Sequence, residues 1–266
     1  MSGTAQPYVG KRFEGKVVVI TGTGGGMGRA AALRFAAEGA TIAGCDIKVE
    51  GNLETIAMVE AAGGRMVGKA PVNLTDEAET AGWLAEVETQ LGQIDVLYAN
   101  AGATKFNRLE DTSIEEWRFV MQHELDIVFL PVKHAWSALK KSSGSVILVG
   151  STAGVTGSLT NHRIAHTASK GGVVAMTKQL AAEGAEFGIR VNCISPGMVR
   201  TPATEGDLLA PGSPMLNIAK HIPLQRIGTA DELINCAAFL ASSEASYVTG
   251  ANLMVDGGWS AVLPGA

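Results

Sequence analysis

A glycine-rich turn between an apolar run and an amphipathic stretch constrains this chain more than any other feature. The turn spans Thr21 to Gly28 (TGTGGGMG) and directly follows the apolar run Lys16–Thr21. Glycines let a backbone approach a phosphate closely, and the amino end of a helix offers free N–H groups and a positive dipole. A strand, this turn and a helix over Gly28–Glu38 therefore predict a dinucleotide-binding unit.

The rest of the chain repeats this alternation of apolar runs and amphipathic stretches. Strands that are apolar throughout are covered on both faces, which predicts a parallel sheet with helices on either side. Right-handed crossovers make that sheet doubly wound. We therefore expect one Rossmann-like α/β domain over residues 1–266, with about seven strands flanked by helices. The predicted strands are Lys16–Thr21, Thr41–Asp46, Arg65–Val72, Ile94–Ala99 and Ser145–Gly150; the helices are Gly28–Glu38, Asn52–Ala62, Asp76–Leu91, Ser113–Lys140 and Ala168–Phe187; and Ile189–Ile194, Asp231–Leu240 and Ala251–Val255 complete the alternation.

One segment, residues 201–228, departs from this rhythm. It contains too many helix and strand breakers for one regular element. Long excursions in a compact domain are usually lids or binding loops, so we expect this lid segment to cover a small-molecule substrate. A surface insertion without function is the alternative. The breakers are Pro202, Gly206, Pro211, Gly212, Pro214 and Pro223.

Composition excludes several classes of protein. A net charge of −5, spread along 266 residues, leaves no basic patch for nucleic acid or anionic lipid. No run reaches the ~18 apolar residues of a membrane span, and Met1 to Lys16 holds no apolar stretch typical of a signal peptide. Cys45, Cys193 and Cys236 lack CxxC spacing, and no cluster of His, Asp or Glu suggests metal ligands. We expect a cytoplasmic protein without a nucleic-acid or membrane partner and without a metal.

Asp46 ends the second predicted strand and bears on cofactor choice. A carboxylate there accepts hydrogen bonds from both ribose hydroxyls of adenosine and repels a 2′-phosphate. No basic residue lies inside the glycine-rich turn, although Arg29 and Lys48 are close by. We therefore expect NAD(H) to be preferred over NADP(H). A solvated carboxylate that caps a helix is the other interpretation of Asp46.

Further motifs resemble those of the short-chain dehydrogenase/reductase family in order and distance. The spacing of the glycine-rich turn is that family's TGxxxGxG, and Ala168 to Lys170 matches the end of its YxASK motif. The resemblance spans about residues 13–260 and implies hydride transfer between a nicotinamide cofactor and a hydroxyl or carbonyl group. It also implies a homotetramer or homodimer, with which the apolar end Trp259 to Leu263 is compatible. The other matching segments are Asn100–Gly102, Ser151–Gly154, Asn192, Ser195–Thr201 and Asp256–Gly258.

The resemblance also implies which residues contact the cofactor and which react. The catalytic positions are Ser151, His166, Lys170 and Glu124, and two of them depart from the family, which has Tyr where this chain has His166 and Asn where it has Glu124. The cofactor-binding positions are Gly22, Thr23, Gly26, Met27, Gly28, Asp46, Asn73, Asn100, Ala101, Gly102, Lys170, Pro196, Gly197, Val199 and Thr201, among which Asn73 stands where the family often has Asp.

The two departures alter the proton chemistry. His166 and Lys170 lie one helical turn apart, and a neighbouring ammonium disfavours the imidazolium, which leaves a good base but a poor acid. A carboxylate from Glu124 near either residue offsets that effect. We hypothesise that Glu124 and His166 act together, with Glu124 tuning or relaying protons and Ser151 hydrogen-bonding the substrate oxygen. The alternative makes Glu124 a solvated helix residue and His166 a polar side chain that faces the cleft.

Two nearby residues have weaker claims to a role. His123 should point to the opposite side of its helix from the neighbours of Glu124. Arg163, in a loop longer than the family pattern, either recognises an acidic substrate or faces solvent.

Three functions fit these residues. The first is an NAD(H)-dependent oxidoreductase acting on a hydroxyl or carbonyl group of a small, fairly apolar substrate, with His166 in the role of the family's Tyr. The second retains the cofactor but performs non-redox isomerase or lyase chemistry with His166 as the base. The third is a nucleotide-binding protein without turnover that serves as an interaction partner. Because one scaffold hosts many functions, the fold by itself does not choose among them.

Overall fold

Residues 10–206, 208–213 and 215–262 are described in the computed structural model. Their strands are β1 (Val17–Thr21), β2 (Thr41–Cys45), β3 (Arg65–Lys69), β4 (Val96–Ala99), β5 (Ser145–Val149), β6 (Arg190–Pro196), β7 (Val199–Arg200), β8 (Gly228–Thr229) and β9 (Asn252–Val255). Their helices are α1 (Gly26–Ala37), α2 (Val49–Ala61), α3 (Glu77–Leu91), α4 (Ile114–Met121), α5 (Ile127–Ser142), α6 (Ile164–Gly184), α7 (Pro202–Gly206) and α8 (Ala230–Ala241).

Seven strands form one parallel sheet in the order β3-β2-β1-β4-β5-β6-β9. This confirms the doubly wound α/β fold predicted from the apolar runs. One face of the sheet is covered by α3, α5 and α6, and the opposite face by α1 and α8. Every residue of β1, β4 and β5 is buried, because each of these central strands has helices on both faces.

The direction of winding reverses at β1, which pairs with β2 on one side and β4 on the other. Ligands of doubly wound sheets bind in the crevice outside the carboxyl ends of the strands at such a point. The glycine-rich turn follows β1 there, while Asn100 and Ser151 follow β4 and β5. Hydrogen-bonded parallel strands thus bring motifs that are far apart in sequence to one edge.

Several element boundaries differ from the prediction. The strand expected to reach Val72 ends at Lys69, two residues before Pro71, which has no N–H to donate to the ladder. The helix expected from Ala168 starts at Ile164, so His166 lies in its first turn. The long helix expected over Ser113–Lys140 is present, but a wider π-helical turn at Gln122–Asp126 joins α4 to α5.

The described residues of the lid segment form no long element, as its breakers predict. They form α7, a 3-10 turn at Ile218–His221 and the start of β8, which pairs with β7. Met215, Ile218 and Ile222 of this segment form a small apolar cluster with Met198, which precedes it. No helix in the described ranges is long and apolar enough to cross a membrane. Three parts of the sequence predictions fall outside those ranges: residues 1–9, Pro214 and Leu263.

Candidate functional site

The glycine-rich turn forms an open cradle at the amino end of α1. Gly25 precedes the helix, no side chain caps it, and the first turn carries no acidic residue. A Cβ added at Gly25 would meet nothing within 4 Å, while one at Gly26 would lie 3.5 Å from Thr201 Cβ. The turn therefore faces open space bordered by Thr201. A pyrophosphate fits there, because free N–H groups and the helix dipole favour negative charge.

Two other residues of the turn shape the cradle without lining it. A Cβ at Gly28 would lie 1.9 Å from the carbonyl oxygen of Gly22, so α1 can pack this closely only with glycine at that position. Thr23 is fully buried, and its hydroxyl donates to Asn52 Oδ1 at 2.7 Å. Thr23 and Gly28 thus hold the backbone of the turn in place, and the open surface of the turn is formed by other residues.

The predicted adenosine end has a carboxylate directed at the turn. Asp46 accepts hydrogen bonds from the N–H groups of Gly24 at 2.7 Å and Lys48 at 2.8 Å. The guanidinium of Arg29 is bound to Thr55 and Glu54, so it is already engaged. Asn73 is exposed after β3, where its Oδ1 accepts from the N–H of Thr75.

Asn100 joins the turns that follow β1 and β4. Its Nδ2 donates to the Thr21 carbonyl at 3.0 Å, and the Thr21 hydroxyl accepts from the N–H groups of Asn100 and Ala101. Its Oδ1 is buried and has no hydrogen-bond partner within the described ranges. Buried polar atoms are normally satisfied, so this acceptor fits a donor that the cofactor brings. Gly102, two positions on, is exposed.

The segment after β6 is largely packed against its own neighbours. Pro196 and Val199 are buried, and a Cβ at Gly197 would lie 2.6 Å from Asp256 Cβ. Glycine is needed at position 197 because the Asp256 loop packs directly on it. Thr201 is the member of this group that reaches the glycine-rich turn, and Met27 is half-buried on α1.

The catalytic candidates Glu124 and His166 are in direct contact. Both carboxylate oxygens of Glu124 lie on His166 Nδ1, at 2.7 and 2.8 Å, and Glu124 is only 3% exposed. Ser169, one turn along α6, donates from its hydroxyl to the same carboxylate at 2.6 Å. A buried carboxylate requires such donors, so the interpretation of Glu124 as a solvated helix residue is wrong.

The π-helical turn gives Glu124 its position. It inserts an extra residue between α4 and α5, and such turns often occur at functional sites. The carbonyl of His123 accepts from Ala103 N–H at 3.1 Å, which ties this turn to the segment after β4. The His123 ring stacks on Phe119, with centroids 4.0 Å apart, and its Nδ1 contacts the Phe119 carbonyl. His123 is therefore directed away from Glu124, as its helical position predicts.

Lys170, on α6, and Ser151, which follows β5, have hydrogen-bond partners other than Glu124. The Lys170 ammonium is buried and donates to the Val149 carbonyl at 3.0 Å, at the carboxyl end of β5. It forms no ion pair with Glu124 within the described ranges. Ser151 Oγ accepts from Ala153 N–H at 3.1 Å. Among the ionisable side chains of the described residues, the Glu124 carboxylate thus contacts only His166.

Two residues at this site have no role in the sequence predictions. Ser169 belongs to the matching segment Ala168 to Lys170, and its place three residues after His166 is a usable signal, since such residues are neighbours on a helix. Phe106 sits edge-on to the His166 ring with centroids 5.5 Å apart. It lies in an irregular loop, where no periodic pattern could have pointed to it. No group of three or more potential metal ligands occurs in the described ranges.

Comparison with known proteins gives consistent matches over nearly the whole chain. The family model described as enoyl-(acyl carrier protein) reductase matches residues 22–260. The chain is 35% identical over 247 residues to 3-oxoacyl-[acyl-carrier-protein] reductase FabG of Escherichia coli, covering 92% of this chain and 98% of that protein. It is 36% identical to meso-2,3-butanediol dehydrogenase of Serratia marcescens, and the match covers 94% of this chain and 96% of that protein. The crystal structure of levodione reductase superposes with a TM-score of 0.88 at 33% identity, covering 94% of this chain and all of that one.

Proposed function

The chain belongs to the short-chain dehydrogenase/reductase family, and on that premise we propose that it is an NAD(H)-dependent oxidoreductase that interconverts a hydroxyl and a carbonyl group on a small, largely apolar substrate. In this role His166 donates and accepts the proton. A nicotinamide dinucleotide supplies the hydride chemistry when bound. The observation that carries the proposal is the buried contact of 2.7 Å between Glu124 and His166 Nδ1 at the carboxyl edge of the sheet.

That contact determines which ring nitrogen can react. The carboxylate occupies Nδ1, so Nε2 is the nitrogen left for the substrate. In the reduction direction Nε2–H gives its proton to the carbonyl oxygen, and in the oxidation direction Nε2 takes the hydroxyl proton. The contact with Glu124 fixes the orientation of the His166 ring, which positions Nε2 for proton transfer. Ser151 would hydrogen-bond the substrate oxygen, and Ser169 holds Glu124 in place.

Lys170 has a separate role in this proposal. Its ammonium is directed at the Val149 carbonyl, where it can hold the nicotinamide ribose. Because it does not pair with Glu124, the carboxylate charge remains available to His166. The two residues, one turn apart on α6, therefore serve two tasks: Lys170 binds the cofactor and His166 transfers the proton.

The preference for NAD(H) rests on the groups around Asp46. Its carboxylate is directed at the start of the glycine-rich turn, where it would meet the adenosine ribose. A 2′-phosphate would meet this negative charge, and Arg29 is engaged by Glu54 and Thr55. The family relatives named above include both reductases and a dehydrogenase of different substrates, so the substrate is proposed here by class only.

The test compares wild type with His166→Phe, using NADH with a panel of ketones and NAD⁺ with the matching alcohols. We expect turnover in wild type and a loss of about 100-fold or more in kcat/KM in the variant. His123→Phe is the matched control, because that ring stacks on Phe119 and is directed away from Glu124, and it should retain turnover.

The other outcomes discriminate among functions. Equal turnover in wild type and His166→Phe would remove His166 from the mechanism. NADH binding without any change in NADH absorbance would favour non-redox chemistry or a binding protein over the oxidoreductase.

A further inference from the structure

Arg163 carries a half-buried positive charge at the start of α6, next to the reacting histidine. It is the last residue before the helix and lies three positions ahead of His166. Its Nε atom is buried and has no hydrogen-bond partner in the part of the chain that the structure describes. Across residues 10–206, 208–213 and 215–262, no carboxylate forms an ion pair with this guanidinium. The side chain of Arg163 is therefore partly covered by the fold rather than fully exposed to solvent.

Arg190 is a second partly buried arginine and, unlike Arg163, it donates to acceptors within the fold. Burial lowers the pKa of both guanidinium groups. Arg190 compensates for the lost hydration by donating to carbonyl groups at the end of α8, among them those of Leu240 and Ser242. Arg163 has no such acceptors in the described ranges. Buried polar atoms in proteins are normally hydrogen-bonded, so the Nε–H of Arg163 is a donor available to a ligand.

The loop that leads to Arg163 reaches the lid segment. Thr160 Oγ1 lies 4.0 Å from Met215 Sδ, which joins the two chain segments beside the site. The sequence neighbours of these residues, Leu159 and Leu216, are 92% and 46% exposed. The exposed side chains of Leu159 and Leu216 beside this junction are thus apolar. The charged group of Arg163 is less exposed and lies at the amino end of α6.

We propose that Arg163 binds a carboxylate of the substrate, so that the enzyme acts on a hydroxy acid or oxo acid with an apolar body. The inference rests on the proposed function, because it names the substrate class of that same site. A planar guanidinium matches a carboxylate with two parallel hydrogen bonds. The amino end of α6, which has no acidic residue in its first turn, adds positive potential of the same sign.

The carboxylate is unchanged by the reaction. In reduction, the carbonyl carbon of the oxo acid gains a hydride and its oxygen gains the proton from His166, which forms the hydroxy acid. Arg163 orients the molecule by its other end, and the apolar body lies between the two groups.

The first experiment measures turnover of linear 3-, 4- and 5-oxo acids and of their methyl esters. We expect wild type to prefer the acid of the best-turned-over pair, and Arg163→Met to raise KM for that acid by about 10- to 100-fold. KM for the ester should change less than about twofold. Arg163→Lys keeps the charge without the planar fork and should fall in between. Arg108→Met, which removes an exposed arginine from the loop after β4, is the matched control and should leave the acid preference unchanged.

The second experiment needs neither turnover nor a stable variant. Calorimetry of wild type in the presence of NADH should detect binding of hexanoate, and binding of hexanamide at least about tenfold weaker. Preferential binding of hexanoate without turnover of any oxo acid would support the carboxylate site while overturning the proposed function. Equal turnover of acids and esters, with equal binding of hexanoate and hexanamide, would overturn the carboxylate site and leave the oxidoreductase standing.

Discussion

Two neighbouring side chains meet the carboxylate of Glu124 inside the protein. Taking an ion out of water costs several kcal/mol, and this cost is offset when the ion is paired and hydrogen-bonded. His166 and Ser169 provide that compensation for Glu124. The two residues that are predicted to depart from the family pattern, His166 and Glu124, therefore contact each other directly.

Replacing Glu124 with Gln should lower turnover over the whole pH range. The neutral amide is a weaker acceptor than the carboxylate, so His166 Nδ1 loses the charged partner that fixes the orientation of its ring. We expect ketone reduction, which needs a proton from Nε2, to fall about 10- to 100-fold at neutral pH. The measurement is kcat/KM against pH in both directions.

Ala substitution at His123 provides the comparison for Glu124→Gln, since this side chain leans on Phe119 rather than on the carboxylate. Its profile should match that of wild type. If Glu124→Gln also kept the wild-type profile, the coupling of Glu124 to His166 during turnover would be disproved.

At the scale of elements, helix ends decide where functional side chains lie. The start of α6 places His166 in the first turn, and the π-helical turn before α5 directs Glu124 toward it. By contrast, α8 is set by a local capping box, in which the Thr229 hydroxyl accepts from Glu232 N–H and the Glu232 carboxylate accepts from Thr229 N–H. That second arrangement can be read directly from the sequence.

The capping box of α8 should make stability depend on pH. Arg226, and then the N–H of Thr229, lower the pKa of Glu232 to about 2. The folded pKa lies below the unfolded value of about 4.3, so this contribution is complete above about pH 5 and is lost as pH falls toward 2. We expect Glu232→Gln to cost only about 0.5–1 kcal/mol at pH 7, because the pair with Arg226 is largely exposed.

Thermal unfolding of Glu232→Gln and wild type at pH 7 and pH 4 is the measurement. The difference in Tm should narrow at pH 4. Asp231→Asn removes a charge from the same helical turn without breaking the box, and so isolates the effect of the helix dipole. A Tm difference that was the same at both pH values would exclude a role for the ionisation of Glu232.

At the scale of the whole molecule, the proposed cofactor site is assembled from distant parts of the chain. Gly26 follows the first strand, yet a Cβ there would lie 3.5 Å from the Cβ of Thr201, the first residue of the lid segment. Asn100 connects the turns after β1 and β4. A ligand bound in the cradle would therefore contact several elements of the fold at once and stabilise the folded protein as a unit.

NADH should raise the melting temperature of this protein more than NADPH does. A ligand at about 100 times its Kd adds about 2.7 kcal/mol of stability, which corresponds to a rise in Tm of about 5–10 °C for a chain of this length. At the same concentration NADPH should give a clearly smaller rise, because Asp46 repels its 2′-phosphate. In Asp46→Asn the gap between the two cofactors should close. A larger rise with NADPH in wild type would reverse the proposed preference.

The sequence was sufficient for features that depend on neighbouring residues. Apolar runs predicted the strands, and the spacing of the glycines predicted the turn at the start of α1. It was less reliable where tertiary packing decides: the helix predicted from Ala168 begins four residues earlier, at Ile164, and the π-helical turn has no periodic signal. Hydrophobic period and turn chemistry are local, whereas the end of a helix is also set by what packs against it.

The sequence alone determined the doubly wound fold and the positions of Ser151, His166, Lys170 and Glu124 along the chain. Only the tertiary structure decided that Glu124 contacts His166 rather than Lys170, that Ser169 shares that carboxylate, and that the buried Arg163 Nε has no hydrogen-bond partner among the described residues. The reason is physical: elements form from interactions between near neighbours, but the pairing of charges depends on distances across the fold, and in a buried site a change of partner reverses which ionisation state is favoured.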